Sequence, residues 1–216
     1  MSPPRRPRVL LADDHRLVAE ALKSLLAPEF DLVGVVEDGR ALVEAARTLR
    51  PDAIVADVTM PHLNGIDALV QLRKAGDRVP VVFLTMHRDA TFARRALDAG
   101  ASGFVLKHSA PAELVSAIRA ALEGKTYVTP QLAGEVLEAM KQRPEKAGDP
   151  VASLTPRQRE VLQLLAEGRS GKEIATSLGI SARTVEFHKY QLMETLGLHT
   201  NAELIHFAIK HGLVEL

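Results

Sequence analysis

The feature that most constrains the fold is a regular alternation of short apolar runs and helix-period segments across residues 9–124. The five apolar runs are VLLA (9–12), LVGVV (32–36), AIVA (53–56), VVFL (81–84) and GFVL (103–106). Continuous apolar strands that alternate with helices are typical of a parallel sheet covered on both faces and joined by right-handed crossovers. We therefore predict an α/β domain with a flavodoxin-like, doubly wound, five-stranded parallel sheet.

The C-terminal part of the chain has a different, purely helical pattern. Thr155 with Gln158, and Ser170 with Glu173, each have the spacing of a capping box at the start of a helix. A short helix, a tight turn and a longer helix that begins near Ser181 give the layout of a helix-turn-helix. We therefore predict an all-α domain of four helices that contains this motif.

We divide the chain into a first domain (residues 1–128), a linker (residues 129–150) and a helical domain (residues 151–216). The linker contains the polar stretch KQRPEKAGDP, whose two prolines and one glycine are typical of an extended connection. The stretch PQLAGEVLEAM, which precedes it, has the composition of a short helix.

Composition and charge exclude several classes of protein. The chain has no cysteine, which excludes a disulfide scaffold, a thiolate metal site and thiol catalysis. Its formal net charge is zero, so bulk electrostatics indicate no partner. The histidines lack the spacing of a zinc site, and no apolar run reaches the length of a membrane span or of a secretory signal. We therefore expect a soluble, cytoplasmic protein without membrane contact.

Polar side chains stand at the carboxyl ends of four predicted strands. Asp13 and Asp14 follow the first strand, Asp57 follows the third, and Thr85 and Lys107 follow the fourth and fifth. In an open α/β sheet these ends meet at one edge, where ligands bind near the reversal of strand order. Crowded carboxylates need a cation, and a set of oxygen ligands is typical of Mg²⁺. An ammonium and a hydroxyl beside the metal can hold an anion such as a phosphoryl group.

Residues 7–125 resemble the receiver domain of bacterial response regulators in these strand-end residues and in MPHLNG, which follows shortly after Asp57. The resemblance implies that Asp57 accepts a phosphoryl group from a sensor histidine kinase and forms an acyl phosphate. It also implies that Mg²⁺ is held by Asp13, Asp14, Asp57 and the backbone carbonyl of Thr59.

The same resemblance implies roles for residues around the acceptor. Thr85 and Lys107 would bind the phosphoryl group, and Thr85 and Phe104 would form the switch that repacks the surface of the domain. Thr59 and His87 each lie two residues beyond a site residue. The resemblance implies that these two positions influence how readily water attacks the phosphoryl group.

Each of these residues also has an ordinary explanation when it is taken alone. A strand-end aspartate often caps the next helix, an isolated lysine is usually solvated, and Phe104 alternates with core residues as a packed side chain would. A phosphatase of the aspartyl-phosphate type is a further alternative, but it usually has a second carboxylate two residues after its nucleophile. That position is Thr59. The strand-end residues together favour the receiver.

Residues 154–198 resemble the LuxR-type helix-turn-helix of the NarL/FixJ family in the pieces LTPRQREVL, GRSGKEIA, LGIS and TVEFH. The resemblance implies binding of double-stranded DNA, with the helix from about Ala182 in the major groove. After residue 150, seven basic residues are matched by seven acidic ones, so a small helical dimerisation module is the alternative. The residues implied to contact DNA are Arg169, Lys172, Arg183, Thr184, Glu186, Phe187, His188, Lys189 and Tyr190.

The helix expected in the groove has two distinct faces at about 100° per residue. Val185 and Leu192 share the face expected to pack on the preceding helix, and Glu186, Phe187 and Tyr190 lie opposite. Glu186 departs from the family, many of whose members have lysine there. Glutamate can accept a hydrogen bond from cytosine N4, and phenylalanine can contact a thymine methyl group. His188 and Lys189, nearer the packed face, would reach phosphate at most. The alternative is that the two aromatic residues pack on the fourth helix or at a dimer contact.

Together these features indicate a two-component response regulator that controls transcription and forms a homodimer when it is phosphorylated. Phosphorylation adds about −1.5 to −2 of charge at the acceptor, which would change dimerisation or domain contacts. No enzyme activity is expected beyond self-catalysed uptake and loss of the phosphoryl group. The alternative is a DNA-binding protein that works without phosphorylation and uses the receiver only as a dimer scaffold.

Overall fold

The computed structural model describes residues 5–86, 88, 90–141 and 150–214. The chain divides into two compact units. The first contains a parallel sheet with its flanking helices, and the second is helical. Within the described residues, no helix has both the length and the apolarity that crossing a membrane requires.

The sheet of the first unit has six parallel strands within the described residues. They are β1 (Arg8–Ala12), β2 (Asp31–Val36), β3 (Ala53–Asp57), β4 (Val81–Thr85), β5 (Gly103–Leu106) and β6 (Tyr127–Val128). Their order is β2-β1-β3-β4-β5-β6, so the order reverses at β1 and β3. The predicted doubly wound parallel sheet is confirmed, and it is one strand wider than the five strands expected. The additional strand, β6, pairs with β5 at the edge of the sheet.

Five helices follow the first five strands and cover the sheet. They are α1 (Arg16–Leu26), α2 (Gly39–Leu49), α3 (Gly65–Lys74), α4 (Ala90–Asp98) and α5 (Ala110–Leu122). On one face, apolar side chains of α1 and α5 pack against alternate residues of the strands. The buried residues of this cluster include Leu22, Leu26, Leu114 and Ile118 from the helices and Val9, Leu11, Val55, Leu84 and Val105 from the strands. This burial is the main stabilising contribution in the first unit.

A sixth helix, α6 (Pro130–Lys141), lies in the segment for which the sequence predicts a linker. It contacts α4 and belongs to the first unit. Leu132 and Val136 are buried, and Arg94 Nη1 of α4 donates a hydrogen bond to the carbonyl oxygen of Ala139, at 2.8 Å. The suggestion of a short helix in PQLAGEVLEAM therefore agrees with the structure. Residues 142–149 lie outside the described residues, and the three predicted domain boundaries stay predictions.

The second unit consists of α7 (Pro156–Ala166), α8 (Gly171–Leu178), α9 (Ala182–Leu196) and α10 (Asn201–Lys210). The capping boxes predicted at Thr155 and Ser170 are both present. Gly179, at φ 63°, ends α8 in the left-handed conformation that makes the tight turn before α9. The helices enclose one apolar core, and the predicted four-helix domain is confirmed. Its buried residues include Val161, Leu164, Ile174, Val185, Leu192 and Leu204.

Candidate functional site

The carboxyl ends of the strands bring the predicted acidic residues of the first unit together. Asp57 ends β3, and Asp13 comes directly after β1, the neighbouring strand. Both side chains are almost completely buried, at 3% and 1% exposure, and Thr85 at the end of β4 is 1% exposed. A buried carboxylate is unfavourable unless it is paired, so the partners of these groups decide what the site can do.

The carboxylates of Asp13 and Asp57 are both paired with Lys107, which follows β5. Its Nζ lies 2.5 Å from Asp57 Oδ2 and 2.9 Å from Asp13 Oδ2, so one ammonium bridges both carboxylates. Asp14 belongs to the same group of ligand atoms. We call Asp13, Asp14, Asp57 and Lys107 the acidic edge. Three formal negative charges against one positive charge leave a net charge of about −2, which a divalent cation would match.

Burial and pairing oppose each other in setting the pKa values of the bridged pair. Burial raises the pKa of the Asp57 carboxyl from 3.8 to about 6, although the Lys107 ammonium opposes the shift. Burial alone would lower the pKa of Lys107, but the charges and hydrogen bonds of Asp57 and Asp13 outweigh it and raise that pKa. At neutral pH, Asp57 is therefore mainly an ionised carboxylate held by an ammonium. The ionised form is the one that can act as a nucleophile.

The acidic edge fits the magnesium ion that the sequence predicts. Ligand atoms of Asp13, Asp14, Asp57 and His15 all lie within 4.8 Å of one another. Carboxylate oxygens are the ligands that Mg²⁺ prefers, and the net charge of the edge favours a divalent cation. The backbone N–H of Thr59 donates to Asp57 Oδ1 at 3.3 Å, which places Thr59 beside the acceptor. Coordination by its carbonyl stays a prediction.

His15 is a neighbour of the acidic edge that the sequence analysis did not identify. Its Nδ1 lies 3.1 Å from Asp14 Oδ1 and 3.5 Å from Asp13 Oδ1, and its backbone N–H donates to Asp13 Oδ1 at 2.9 Å. The only sequence signal was its position directly after the two aspartates. A half-exposed imidazole there adds a nitrogen ligand or a hydrogen-bond donor to the mouth of the site.

The loop after β3 explains why an Asn-Gly pair follows the acceptor. Asn64 caps α3 by accepting a hydrogen bond from the backbone N–H of Asp67. Gly65 donates its backbone N–H to the carbonyl oxygen of Val58 at 2.8 Å. A Cβ on Gly65 would lie 2.2 Å from the Asp57 backbone oxygen and 2.8 Å from the Phe83 ring. Only glycine allows α3 to start this close to the acceptor.

The remaining residues with implied roles are Thr85 and Phe104, the predicted switch, and Thr59 and His87, which are predicted to influence loss of the phosphoryl group. Phe104 is fully buried in β5, in register with Phe83 of β4 and Val128 of β6, so it is packed in this structure. Its switch role with Thr85 stays a prediction. Thr59 is buried beside Asp57, whereas His87 lies outside the described residues.

The second unit presents the predicted DNA-contacting residues on α8, α9 and the turn before α8. Val185 and Leu192 are buried as expected, whereas Phe187 and Tyr190 are 56% and 67% exposed. These two aromatic rings therefore do not pack on α10 within this unit, and that alternative is wrong. A dimer contact and a DNA contact both stay open. We call Arg183, Glu186, Phe187 and Tyr190 the outer face of α9; Arg169 and Lys172 are also exposed.

One ion pair links the two charged residues to which the sequence analysis gave separate roles. Lys189 Nζ lies 2.7 Å from Glu186 Oε2, one helical turn away. Glu186 Oε1 also approaches the start of α8, at 3.5 Å from the position of a Cβ on Gly171. The charge of Lys189 is therefore partly neutralised by Glu186, and changing either residue alters both.

Comparison with known proteins identifies both units. Residues 9–119 match the family described as response regulator receiver domain, and residues 152–208 match bacterial regulatory proteins of the luxR family. The two matches coincide with the unit that carries the acidic edge and with the helix-turn-helix.

Several similar proteins match nearly the whole chain. Transcriptional regulatory protein MctR of Rhizobium johnstonii is 38% identical over 96% of this chain and 95% of its own length. Response regulator UvrY of Escherichia coli K12 is 33% identical over 95% of this chain and 94% of its own. A structure of the Salmonella typhimurium RcsB response regulator, described in terms of its interaction with DNA, is similar with a TM-score of 0.67. It is 27% identical and covers 96% of this chain and 98% of that chain.

Proposed function

We infer the function from one premise: the chain belongs to the NarL/FixJ family of two-component response regulators, which join a receiver domain to a LuxR-type DNA-binding domain. We propose that Asp57 is the phosphoacceptor and that its phosphorylation by a sensor histidine kinase controls DNA binding. One observation carries the proposal: a buried carboxylate at the end of β3 lies 2.5 Å from the ammonium of Lys107, whose side chain is 9% exposed, within a cluster of further carboxylates.

The reaction is transfer of a phosphoryl group from a phosphohistidine to Asp57. A carboxylate oxygen of Asp57 attacks phosphorus, an O–P bond forms, and the N–P bond to the donor imidazole breaks. The electron pair of that bond returns to the imidazole nitrogen, which then takes up a proton, and Asp57 becomes an acyl phosphate. Mg²⁺, held by Asp13, Asp14, Asp57 and the Thr59 carbonyl, would neutralise charge on the phosphoryl oxygens.

The protein's own residues orient the acceptor and bind the product. Lys107 holds the Asp57 carboxylate in place before transfer and then binds the new phosphoryl oxygens. The Thr85 hydroxyl, at the end of the adjacent strand, binds another of these oxygens. Its movement lets Phe104 change its packing, and this rearrangement alters the surface of the receiver.

The second unit supplies the output. RcsB, a structural relative, is described as interacting with DNA. In this chain, α9 enters the major groove of double-stranded DNA, and Arg169, Lys172, Thr184 and His188 contact the backbone around it. Phosphorylation favours a homodimer, which places two such helices on one site. The protein acts in the cytoplasm, where both the kinase domain and the DNA are accessible.

Intact-protein mass spectrometry tests phosphoacceptance. The full chain is incubated with Mg²⁺ and acetyl phosphate, and we expect a mass increase of one phosphoryl group. Asp57→Asn should show none, because the amide is isosteric but a far poorer nucleophile. Asp31→Asn, which changes an exposed aspartate at the start of β2, is the matched control and should be phosphorylated normally. An undiminished adduct on Asp57→Asn would place the site elsewhere.

A further inference from the structure

Thr129 lies where four elements of the first unit meet. It stands between β6 and α6 and is completely buried. Its backbone N–H donates to the carbonyl oxygen of Phe104 at 3.0 Å, and its own carbonyl accepts from the N–H of Leu132 at 2.9 Å. Its hydroxyl oxygen accepts a hydrogen bond from the Leu106 N–H at 3.1 Å and donates one to Glu113 Oε2 at 2.8 Å. One residue thus joins β5, α5, β6 and α6.

These bonds connect the start of α6 to the acidic edge through a short path. Leu106 is the last residue of β5, and the next residue is Lys107, whose ammonium bridges Asp57 and Asp13. The hydroxyl of Thr129 is therefore bonded to the backbone N–H of Leu106, the residue directly before the lysine of the site. Because all its polar groups are paired in a buried position, Thr129 constrains the end of β5 strongly.

The other end of α6 is also fastened to an element next to the site. Arg94, whose side chain is 12% exposed, donates from α4 to the Ala139 carbonyl near the C-terminal end of α6. A positive charge at the C-terminal end of a helix interacts favourably with the helix dipole. Helix α4 follows β4, which ends at Thr85. One attachment of α6 thus reaches the end of β5, directly before Lys107, and the other reaches α4, the helix that follows the strand ending at Thr85.

Among the residues of this unit that the structure describes, helix α6 is packed on one side. Leu132 and Val136 are buried, whereas Leu137 and Met140 are 59% and 52% exposed. Its outer face therefore contributes little to keeping the helix docked. Docking depends on one buried stripe and on the bonds made by Thr129 and Arg94, so losing one of those bonds changes the docking equilibrium measurably.

We propose that Thr129 is a positioning residue that couples phosphoryl uptake at Asp57 to the docking of α6. The proposal rests on the proposed function. Uptake turns the Asp57 carboxylate into an acyl phosphate, so Lys107 loses its 2.5 Å contact with Oδ2 and follows the new oxygens. The peptide group of Leu106 moves with it, the Leu106–Thr129 bond is lost, and the start of α6 is released. Helix α6 thereby carries the phosphorylation state into the chain that follows it.

Hydrogen exchange on the full chain tests the coupling. Exchange of α6 amides is measured with Mg²⁺, with and without acetyl phosphate, in the parent, Thr129→Val, Thr129→Ser and Thr48→Val. In the parent, phosphorylation should speed exchange in α6 about tenfold, about 1.4 kcal/mol in the opening equilibrium. Thr129→Val, which lacks the hydroxyl, should show fast exchange without phosphodonor and no further increase with it. Thr129→Ser, which keeps the hydroxyl, should behave as the parent.

The controls separate this proposal from phosphoacceptance itself. Thr48→Val makes the same change at an exposed threonine of α2 and should leave the response of α6 intact. If Thr129→Val does not fold, Glu113→Ala removes the acceptor of the hydroxyl and should weaken the response by itself. A parent-like, phosphodonor-dependent change of α6 exchange in Thr129→Val, or in Glu113→Ala, overturns the coupling. A parent that gains no phosphoryl mass overturns the proposed function instead.

Discussion

The acidic edge and the outer face of α9 are both rich in charge, but they are held in opposite ways. Asp13 and Asp57 are buried, the side chain of Lys107 is 9% exposed, and each depends on the others for its charge to be tolerated. On α9, Phe187 and Tyr190 are exposed, and Glu186 has one ion pair on the surface. A change at the acidic edge therefore affects stability and chemistry together, whereas a change on α9 affects only what the helix contacts.

The largest effect is expected from Lys107→Met. It leaves the three carboxylates of the acidic edge without their ammonium, and breaking such a buried pair costs about 3–5 kcal/mol. Urea denaturation in metal-free buffer at neutral pH should show this loss, and added Mg²⁺ should recover part of it. Lys125→Met breaks an exposed pair with Glu123 and should have no measurable effect. Equal stability of Lys107→Met and the parent would contradict the buried bridge.

Gly65→Ala should be nearly as damaging, for a steric reason. The new Cβ would lie 2.2 Å from the Asp57 backbone oxygen, so the loop must move, at about 3 kcal/mol. Phosphoryl uptake should fall as well, because the acceptor is displaced. Gly134→Ala, in α6 with open space around it, should be neutral or stabilising by up to about 1 kcal/mol. If both variants have the same urea midpoint of unfolding as the parent, the close approach of Gly65 to the Asp57 backbone oxygen is wrong.

Asp57→Asn should stabilise the metal-free protein, and the gain should depend on pH. Because the folded pKa of Asp57 is about 6 and its ordinary value is 3.8, the folded state holds the proton more tightly. The parent therefore loses stability as pH rises between these values, and the full cost is present above about pH 6. Asparagine does not titrate, so the stability advantage of Asp57→Asn should grow to about 2–3 kcal/mol at pH 8 and vanish below about pH 3, where the carboxyl is protonated in both the folded and the unfolded state. A pH-independent difference would contradict the raised pKa.

The smallest effects are expected on α9. Glu186→Ala should relax preference at one base pair by about 1 kcal/mol, at the low end for a base contact because Glu186 is exposed and shares its charge with Lys189. Binding-site selection measures this preference. Glu194→Ala, at an exposed position near the end of α9, is the control. An unchanged consensus for Glu186→Ala would show that Glu186 does not read a base.

The Glu186–Lys189 ion pair should also influence how DNA affinity depends on salt concentration. Lys189→Ala should weaken binding to all sequences alike and flatten the dependence of affinity on salt. Glu186→Ala frees the Lys189 ammonium, so the same plot should become steeper by about one counterion. Identical slopes in the parent and both variants would mean that neither residue acts on the phosphate backbone.

The acidic edge could be predicted from the sequence because its residues each follow a recognisable strand. The apolar runs locate the strand ends, and the topology then brings Asp13, Asp57 and Lys107 together. His15 could not be identified in this way, because one residue after two aspartates makes no motif. The 2.5 Å contact between Lys107 Nζ and Asp57 Oδ2 could not be predicted from the sequence either, because it depends on how deeply the site is buried.

Strand β6, the docking of α6 and the side-chain contacts on the surface of α9 were harder to predict, for other reasons. A two-residue strand such as β6 is too short to show a periodic pattern. The polar stretch that follows α6 led to the prediction of a linker, so the docking of α6 on α4 was not predicted. The i, i+3 spacing of Glu186 and Lys189 did signal a possible pair, but the helical-face argument assigned the two residues to different roles. Exposed side chains have few constraints, so their partners follow least from sequence.

DNA titration measures directly whether phosphorylation of the first unit controls DNA binding by the second. A DNA site obtained by selection is titrated with the full chain, with and without Mg²⁺ and acetyl phosphate, for the parent and Asp57→Asn. We expect the phosphodonor to change the affinity of the parent about tenfold or more and to leave Asp57→Asn unaffected. Equal affinity of the phosphorylated and unphosphorylated parent would contradict this expectation and would favour a DNA-binding protein that uses its receiver only as a dimer scaffold.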